Sequence, residues 1–303
     1  MSRIPFFLTC IFLCAIVTTG KGIASPDSTR AFSLFARGEF FKASVEFERI
    51  AFYETNNQRI AWYRYYKALC YKEMNETNKA LNELETINLF PSPDSVFLRI
   101  KYEQALCNYL TGNIPQALWN FDEIHMRFPD TLKTVNILPL QILCLNADRQ
   151  WNSALAGWNY LLDHSTLAET DRSALRKELT VMYSRKYLPR YRKPERAENW
   201  SRFIPGSGQL YCGSVGEGSV NLLIHLSLLG FAGWEFYSHC WVTGYFVGLG
   251  LFNKFYHGGM HRAYLLAMQK NAEQIRLFNE KNSALMIRSL GNNTSEHLHS
   301  QNP

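Results

Sequence analysis

The chain has little of what marks a disordered, collagen-like or disulfide-rich protein. Its 303 residues include 7 cysteines, 11 prolines and 18 glycines, which is too few of each to indicate any of these classes. Hydrophobic residues make up 47% of the chain, so there is enough apolar material for a folded core. The length allows about two domains, and a formal net charge of +6 is too small to identify a partner by itself.

Patterns typical of catalysis, phosphate binding or metal binding are also missing. The glycine-rich run at residues 205–213 lacks the Gly-Lys-Ser/Thr ending of a phosphate-binding loop, and no strand is predicted before it. His257 and His261 have the spacing of metal ligands on a helix, but no third ligand is evident. No nucleophile and base occur at an informative spacing. We therefore expect no enzymatic activity, no cofactor and no metal.

Residues 1–25 have the order of an export signal. Arg3 and the amino terminus supply positive charge, an apolar run covers residues 4–17, and small residues follow up to Ala24. We predict cleavage after Ala24. An uncleaved N-terminal anchor is the alternative, although the apolar run is short for a membrane span of about 20 residues.

A 37-residue repeat organises residues 27–165. Four columns of matching residue type recur at this spacing, which chance does not explain. They are a small residue (Ala43, Ala80, Ala117, Ala154), a larger one (Phe47, Leu84, Phe121, Trp158), an aliphatic one (Ile50, Ile87, Ile124, Leu161) and one before the alanines (Ala31, Ala68, Ala105, Ile142). Spacings of three and four predict helices with one apolar face. Because one helix pair cannot bury that face alone, we expect the pairs to stack.

These columns, with a turn glycine and a closing proline, resemble the tetratricopeptide family. The best match is the third unit, with Ala105, Gly112, Ala117, Phe121, Ile124 and Pro129. The period of 37 departs from the usual 34, and we expect the extra residues in the loops near 91–93 and 129–131. Arg149 stands where the fourth unit should have its turn glycine. Residues 167–187 predict a capping helix, which completes a repeat domain at 27–187.

The resemblance implies a helical solenoid that binds a partner protein on a concave face, lined by the first helix of each unit. On this sequence that face would consist of Trp62, Tyr65, Lys72, Arg99, Tyr102 and Tyr109. Aromatic residues and arginine are favoured at the energetic centres of interfaces. The alternative is that several of these tyrosines only pack between helices. Cys70, Cys107 and Cys144 are also 37 residues apart, and we expect them to be small buried side chains.

Residues 188–202 predict a basic linker in front of a membrane module. Seven basic residues lie between Arg185 and Arg202, opposed by two glutamates and interrupted by two prolines. A nucleic-acid-binding arm is the alternative, but an exported protein rarely meets nucleic acid, so we expect no nucleic-acid partner. We expect instead that residues 185–259 contact lipid, with the basic residues at anionic head groups and Trp200 and Phe203 at the interface.

Two apolar segments, Val220–Tyr237 and Cys240–Tyr256, predict a membrane hairpin within a module at 203–259. Their lengths of about 18 and 17 residues are near the minimum for a span, and aromatic residues crowd their ends. Four glycines are predicted to let the two helices pack closely: Gly230, Gly233, Gly244 and Gly248. A buried helix pair of a soluble protein is the alternative. Residues 260–290 predict an amphipathic helix, and residues 291–303 a disordered tail.

The run in front of the hairpin resembles the first motif of a family of small bacterial membrane modules with two helices. The matching residues are Pro205, Gly206, Gly208, Gln209, Tyr211 and Gly213. A later stretch at residues 253–259 resembles the second motif of that family. The resemblance implies a location rather than a chemistry, and we expect a tight turn at the membrane interface.

These patterns predict an all-α protein, a tetratricopeptide-like solenoid followed by a transmembrane helical hairpin. The function they favour is that of a membrane-anchored scaffold in the bacterial cell envelope. The alternative is a membrane-process or structural protein that acts through its hairpin, with the repeats as an accessory. The export signal predicts periplasmic repeats, whereas basic residues on both sides of the hairpin predict that its flanks face the cytoplasm. We give the signal more weight, because long domains translocate largely regardless of charge.

Overall fold

The computed structural model describes residues 26–89, 93–129 and 131–299, and the regular secondary structure in these ranges is helical. The all-α prediction is therefore confirmed for this part of the chain. The predicted export signal lies outside the described residues. Two compact units are present: unit 1 comprises the described residues up to 180 together with those from 282 onward, and unit 2 comprises residues 181–281.

Unit 1 begins with four consecutive helix pairs. They are α1 (Pro26–Ala36) with α2 (Phe40–Tyr53), α3 (Asn57–Glu73) with α4 (Thr77–Glu85), α5 (Asp94–Thr111) with α6 (Ile114–Arg127), and α7 (Leu138–Ala147) with α8 (Trp151–Asp163). A 3-10 helix (Thr131–Ile137) precedes α7. The second helices of the pairs start 37 residues apart, so the period found in the sequence is also the period of the fold.

The turn inside each pair has the same backbone geometry. Gly38, Asn75, Gly112 and Arg149 all have positive φ angles, of 76°, 61°, 81° and 63°. In every pair the amide after this residue donates to the carbonyl five positions earlier, which is the Schellman arrangement that ends a helix. Arg149 adopts this conformation without being a glycine, at a cost of about 1–2 kcal/mol. The fourth unit therefore keeps the repeat geometry despite its different sequence.

The core of each pair extends into the first helix of the next pair. Phe47 of α2 shares a cluster with Cys70 of α3, and Leu84 of α4 shares one with Cys107 of α5. Phe121 of α6 shares a third cluster with residues of α7. Every residue of the four sequence columns is at most 8% exposed. Successive pairs therefore cover one another's apolar sides, as the spacing predicted.

The cysteine column fills space inside these clusters. Cys70, Cys107 and Cys144 are free thiols with no exposed surface, which confirms the prediction that they are small buried side chains. Burial raises the pKa of the Cys70 and Cys107 thiols to about 12, so both stay neutral at physiological pH. Over the described ranges, no cluster of His, Cys, Asp or Glu could hold a metal ion.

Two elements follow the four pairs in unit 1. The first is α9 (Glu169–Met182), at the place of the predicted capping helix. The second is the end of α14 (Gly250–His299), which belongs to unit 1 from Asn282 onward. The fully buried indole of Trp158 donates from Nε1 to Asn282 Oδ1 at 2.8 Å. The last helix pair is thus covered by a segment more than 100 residues away in sequence.

The predicted tail at 291–303 differs from the structure, which continues α14 through His299. Gly291 and the asparagines after it are weak helix formers, and the polar character of this stretch was the reason to expect disorder. Likewise, the predicted amphipathic helix at 260–290 is not a separate element but the middle of α14.

Unit 2 contains α10 (Pro194–Phe203), α11 (Ser207–Tyr211), α12 (Val215–Tyr237), the short α13 (Trp241–Thr243), a π-helix (Gly244–Leu249) and the first part of α14. The predicted linker at 188–202 is therefore helical from Pro194 onward. Pro194 does not interrupt this helix, because it occupies the first turn, where a proline fits. A small core joins α10, the residue after α11 and α14 through Ala197, Cys212 and Ala263.

We expect the Trp158–Asn282 hydrogen bond to stabilise unit 1. Replacing Asn282 with alanine would leave the buried indole N–H without this acceptor, so the free energy of unfolding should fall by about 1–3 kcal/mol. Urea unfolding of the full chain in detergent, followed by circular dichroism, measures the change. Arg288→Ala is the control: it removes an exposed ion pair to Glu178 and should cost at most about 1 kcal/mol. Equal stability of the two variants would contradict the assignment.

Candidate functional site

The predicted partner-binding face on the first helices is only partly available. Tyr65 and Tyr102 are 9% and 7% exposed, and each belongs to a core cluster of its helix pair. Burial raises the pKa of both hydroxyls, and the nearby Glu103 carboxylate raises it further. The prediction that these two tyrosines contact a partner is therefore corrected, because both side chains pack in the core. Tyr109 of α5 is partly exposed, although it also packs against its core cluster.

Trp62 and Arg99 form the accessible part of this face. Both are partly exposed, and the Arg99 guanidinium lies over the Trp62 ring at 5.4 Å from its centroid. Trp62 also stacks on Tyr65, with 5.5 Å between ring centroids. Because Trp62 is on α3 and Arg99 is on α5, the contact bridges two successive helix pairs. The contacts with Arg99 and Tyr65 hold the indole of Trp62 in one place on this face.

Lys72 is not a free cation for a partner. Its ammonium is 2.8 Å from Glu103, and the two side chains are only 8% and 11% exposed. A buried pair of this kind costs desolvation energy and is strongly destabilised when one member is removed. The sequence could not distinguish this arrangement from an exposed lysine, since the partner is 31 residues away.

The sequence interpretation missed a set of exposed apolar residues on the second helices. Val45 and Phe52 of α2 are exposed, and so are Trp119 and Met126 of α6. The two sets occupy the same repeat positions, two periods apart. Aligning the columns for exposed positions, as well as for core positions, would have revealed them.

In unit 2, the glycine-rich motif brings backbone segments into direct contact. Gly206 has a φ of 92°, and a Cβ there would lie 2.2 Å from the carbonyl oxygen of Gly218 in α12. A Cβ on Gly208 would lie 2.0 Å from the carbonyl oxygen of Ala197 in α10. Side chains cannot fit at either position, so the two glycines permit α10, α11 and α12 to meet.

The place where α10, α11 and α12 meet is here called the joint, and Gln209 is its central polar residue. It is buried, its Nε2 donates to the Gly259 carbonyl of α14 at 2.9 Å, and its Oε1 accepts from the Ser201 hydroxyl at 3.2 Å. Ser201 Oγ in turn accepts from the Gly208 amide. The sequence predicts Gln209 at the membrane interface, whereas the structure buries its side chain and bonds it to the Gly259 carbonyl and the Ser201 hydroxyl.

The remaining motif residues lie at the edge of the joint. Tyr211 is exposed, and its hydroxyl accepts from the Lys193 amide at 3.3 Å. Gly213 has a φ of 84°, which ends α11 in the left-handed conformation, and Pro205 is partly buried before the turn. The motif thus acts as an internal connection between helices.

The four predicted hairpin glycines divide into two groups. A Cβ on Gly244 would lie 2.9 Å from the Phe236 ring, and one on Gly248 would lie 2.6 Å from the Cβ of Ala232. Gly230 and Gly233 face open space, with nothing within 4 Å of an added Cβ. The prediction is therefore wrong for this second pair. Ala232 points toward the π-helix instead. Around the axis of α12, Gly233 is turned from Ala232 by about 100° and Gly230 by about 160°, so both glycines face elsewhere.

His225 lies buried among the apolar residues of α12. Its Nδ1 is 2.7 Å from the Asn221 carbonyl, and the ring edge contacts Phe252 of α14 with 5.0 Å between centroids. The Nε2 atom has no hydrogen-bond partner among the described residues. A buried polar group without a partner is uncommon and is often associated with function.

The outer sides of α12 and of the following segment are apolar and exposed. Large side chains along them are Val220, Leu223, Leu226, Leu229, Trp234, Val242, Tyr245 and Phe246. Soluble monomers rarely expose so large a continuous apolar surface. Among the described helices, Val215–Tyr237 is long and apolar enough to span a membrane, and only 17% of its most apolar 18-residue window is buried.

Bulky substitutions should lower the stability of the protein at one pair of hairpin glycines and leave it nearly unchanged at the other pair. Gly244→Leu with Gly248→Leu would collide with Phe236 and Ala232, so the midpoint temperature of unfolding in detergent should fall by several degrees. Gly230→Leu with Gly233→Leu places its side chains in open space, so the midpoint should change little. Similar losses from the two double variants would contradict the packing described here.

No family model, curated protein or solved structure matches this chain. The likeness to tetratricopeptide repeats therefore rests on the four sequence columns, and the likeness to two-helix membrane modules rests on the glycine-rich motif. In the ranges that the structure describes, the regular secondary structure is helical, and one helix is long and apolar enough to span a membrane.

Proposed function

We propose that this protein is a membrane-anchored scaffold of the bacterial cell envelope, which binds a partner protein through tetratricopeptide-type helix pairs and is not an enzyme. The proposal rests on two features of the same chain: regularly repeated helix pairs and an apolar helix that is mostly exposed. The repeats supply a rigid surface, and the apolar helix supplies an attachment to lipid.

The partner surface that fits this role centres on Trp62 and Arg99. Tryptophan and arginine are the residue types that contribute most to binding energy at protein interfaces. Their cation–π contact spans two helix pairs, so the surface exists only when the pairs are stacked. Tyr109 extends the same face along α5.

A double variant at this centre should abolish partner binding. Trp62→Ala with Arg99→Ala should lower the yield of in-cell crosslinking to the partner by about 10- to 100-fold, as expected when about 2 kcal/mol or more is lost at an interface centre. The matched control is Trp119→Ala with Met126→Ala, which removes exposed side chains from α6. Mass spectrometry of the crosslinked tagged chain measures both. If only the control reduces crosslinking, the partner binds the second helices and the proposed surface is wrong.

The membrane attachment that we propose is a helical hairpin made of α12 and the segment after it. Its tip at residues 238–240 would lie across the membrane from the repeats, because a hairpin keeps both of its flanks on one side. With an export signal, the repeats would be periplasmic. The free cysteine at the tip, Cys240, is exposed, whereas the other described cysteines are buried.

Cysteine labelling tests this orientation with an internal reference. In a background with Cys10→Ser and Cys14→Ser, Asn78→Cys places a thiol on the exposed side of α4. A membrane-impermeant maleimide applied to intact cells should label the thiol introduced on α4 and leave Cys240 unlabelled until the cells are lysed. The reverse pattern would place the repeats in the cytoplasm, and equal labelling of both sites would argue against a membrane-crossing hairpin.

A second candidate function is a membrane process carried out by the hairpin itself, with the repeats as an accessory. The buried His225, whose Nε2 lacks a partner among the described residues, favours this alternative. The Gly244→Leu, Gly248→Leu variant distinguishes the two functions. It should abolish an activity of the hairpin, whereas a scaffold should lose only part of its membrane attachment and keep its partner.

A further inference from the structure

Helix α10 in unit 2 turns its small residues inward and its large residues outward. Pro194, Ala197 and Ser201 are buried, and Ala197 belongs to the core cluster with α14. Arg196, Asn199, Trp200 and Phe203 line a shallow groove on the opposite side. Their spacing of three and four residues places them on one helix face, which we call the α10 outer face.

The aromatic residues of this face have no cover in the structure. Trp200 is 55% exposed and Phe203 is 82% exposed, and Ile204 after the helix is exposed as well. A soluble helix normally hides such residues, and a group of them indicates a binding surface. Tryptophan and phenylalanine beside arginine are typical of a helix that lies at a membrane interface.

The segment that includes α10 carries net positive charge: residues 190–203 contain five basic side chains and two acidic ones, Glu195 and Glu198. The guanidinium of Arg196 has no partner among the described side chains, and Arg202 has only a long contact of 3.9 Å to Glu198. Arg190 and Lys193 are exposed just before the helix. A negatively charged ligand would therefore meet an excess of cations in this segment, although Glu195 and Glu198 of α10 offset part of it.

Within unit 2, α10 ends beside the start of the apolar helix. Tyr256 of α14 donates its hydroxyl to the Arg202 carbonyl at 2.6 Å. Gly206, three residues after α10, meets Gly218 in the first turn of α12. The α10 outer face thus lies at the base of the exposed apolar surface, which is where head groups would be if that surface is in lipid.

We propose that the α10 outer face binds the phosphate head groups of anionic phospholipids, with Trp200 and Phe203 inserted between head groups and acyl chains. This inference rests on the proposed membrane attachment and adds a lipid class to it. Arginine suits phosphate because its planar guanidinium donates two parallel hydrogen bonds. Zwitterionic lipid would satisfy the aromatic side chains but would gain less from Arg196 and Arg202.

Fluorescence quenching in vesicles tests the proposal. The full chain is reconstituted in phosphatidylcholine vesicles that contain either brominated phosphatidylglycerol or brominated phosphatidylcholine at equal mole fraction. We expect stronger quenching by the anionic lipid. Trp200→Phe should remove this difference, because the enriched lipid lies beside Trp200.

Arg196→Gln with Arg202→Gln should reduce the enrichment of anionic lipid by about 25-fold, which is roughly fivefold for each arginine near the surface. The matched control, Arg185→Gln with Lys186→Gln, changes the same charge on exposed residues outside α10 and should keep the enrichment. Circular dichroism of each variant reports whether it is folded.

Equal quenching by both lipids, with the chain still in the vesicles, would overturn the lipid inference and leave the membrane attachment intact. Loss of enrichment in the control but not in the α10 variant would overturn it as well. If an acidic protein is held by the wild-type chain but not by the α10 variant, while quenching is equal, the face belongs to a protein partner. A chain that stays soluble and monomeric without detergent would overturn both the inference and the proposed function.

Discussion

A single helix pair in unit 1 has more apolar surface than it can cover by itself. Ala43 and Phe47 pack against the first helix of their own pair, but Tyr63 and Cys70 of the next pair complete the cluster. Each added pair covers an apolar side of the pair before it and has an uncovered apolar side of its own. The series therefore needs a different element to cover the last pair. The structure ends it with α9 and the last part of α14, which supplies a hydrogen-bond acceptor for the buried indole of Trp158.

Polar residues in this stack are tied to the same constraint. Lys67 bonds Glu48 of the preceding pair and Glu83 of its own pair, and Lys72 bonds Glu103 of the following pair. A charge that is removed from water needs a partner, and here the partner is often on a neighbouring pair. These bonds favour one relative placement of the pairs. The side chains left for a ligand are those, like Trp62 and Arg99, that remain partly exposed after this pairing.

The sequence predicted the helices of unit 1 well because their core positions recur at a fixed spacing. Even the irregular turn at Arg149 keeps its place, since packing on both sides determines the backbone there. The site was harder to predict. A tyrosine on a first helix looks the same in sequence whether it is buried, like Tyr65, or available, and only the three-dimensional neighbours distinguish the two. The glycines of α12 illustrate a similar limit, because spacing identifies glycines but not the direction they face. The role of the end of α14 depends on contacts over more than 100 residues, which no local pattern reveals.

The π-helix at Gly244–Leu249 has a consequence for how the hairpin segment can change in evolution. A π-turn corresponds to one extra residue inserted into an α-helix, and it sets the angular position of everything that follows. Gly248, inside the π-helix, lies against Ala232, and Phe252, after the π-helix, lies against His225. Deleting one residue here would restore a regular α-helix but rotate the later side chains by about 100°. Phe252 would then no longer contact His225. Length changes in this short stretch are therefore constrained more tightly than substitutions, which is unusual for a segment with so many exposed side chains.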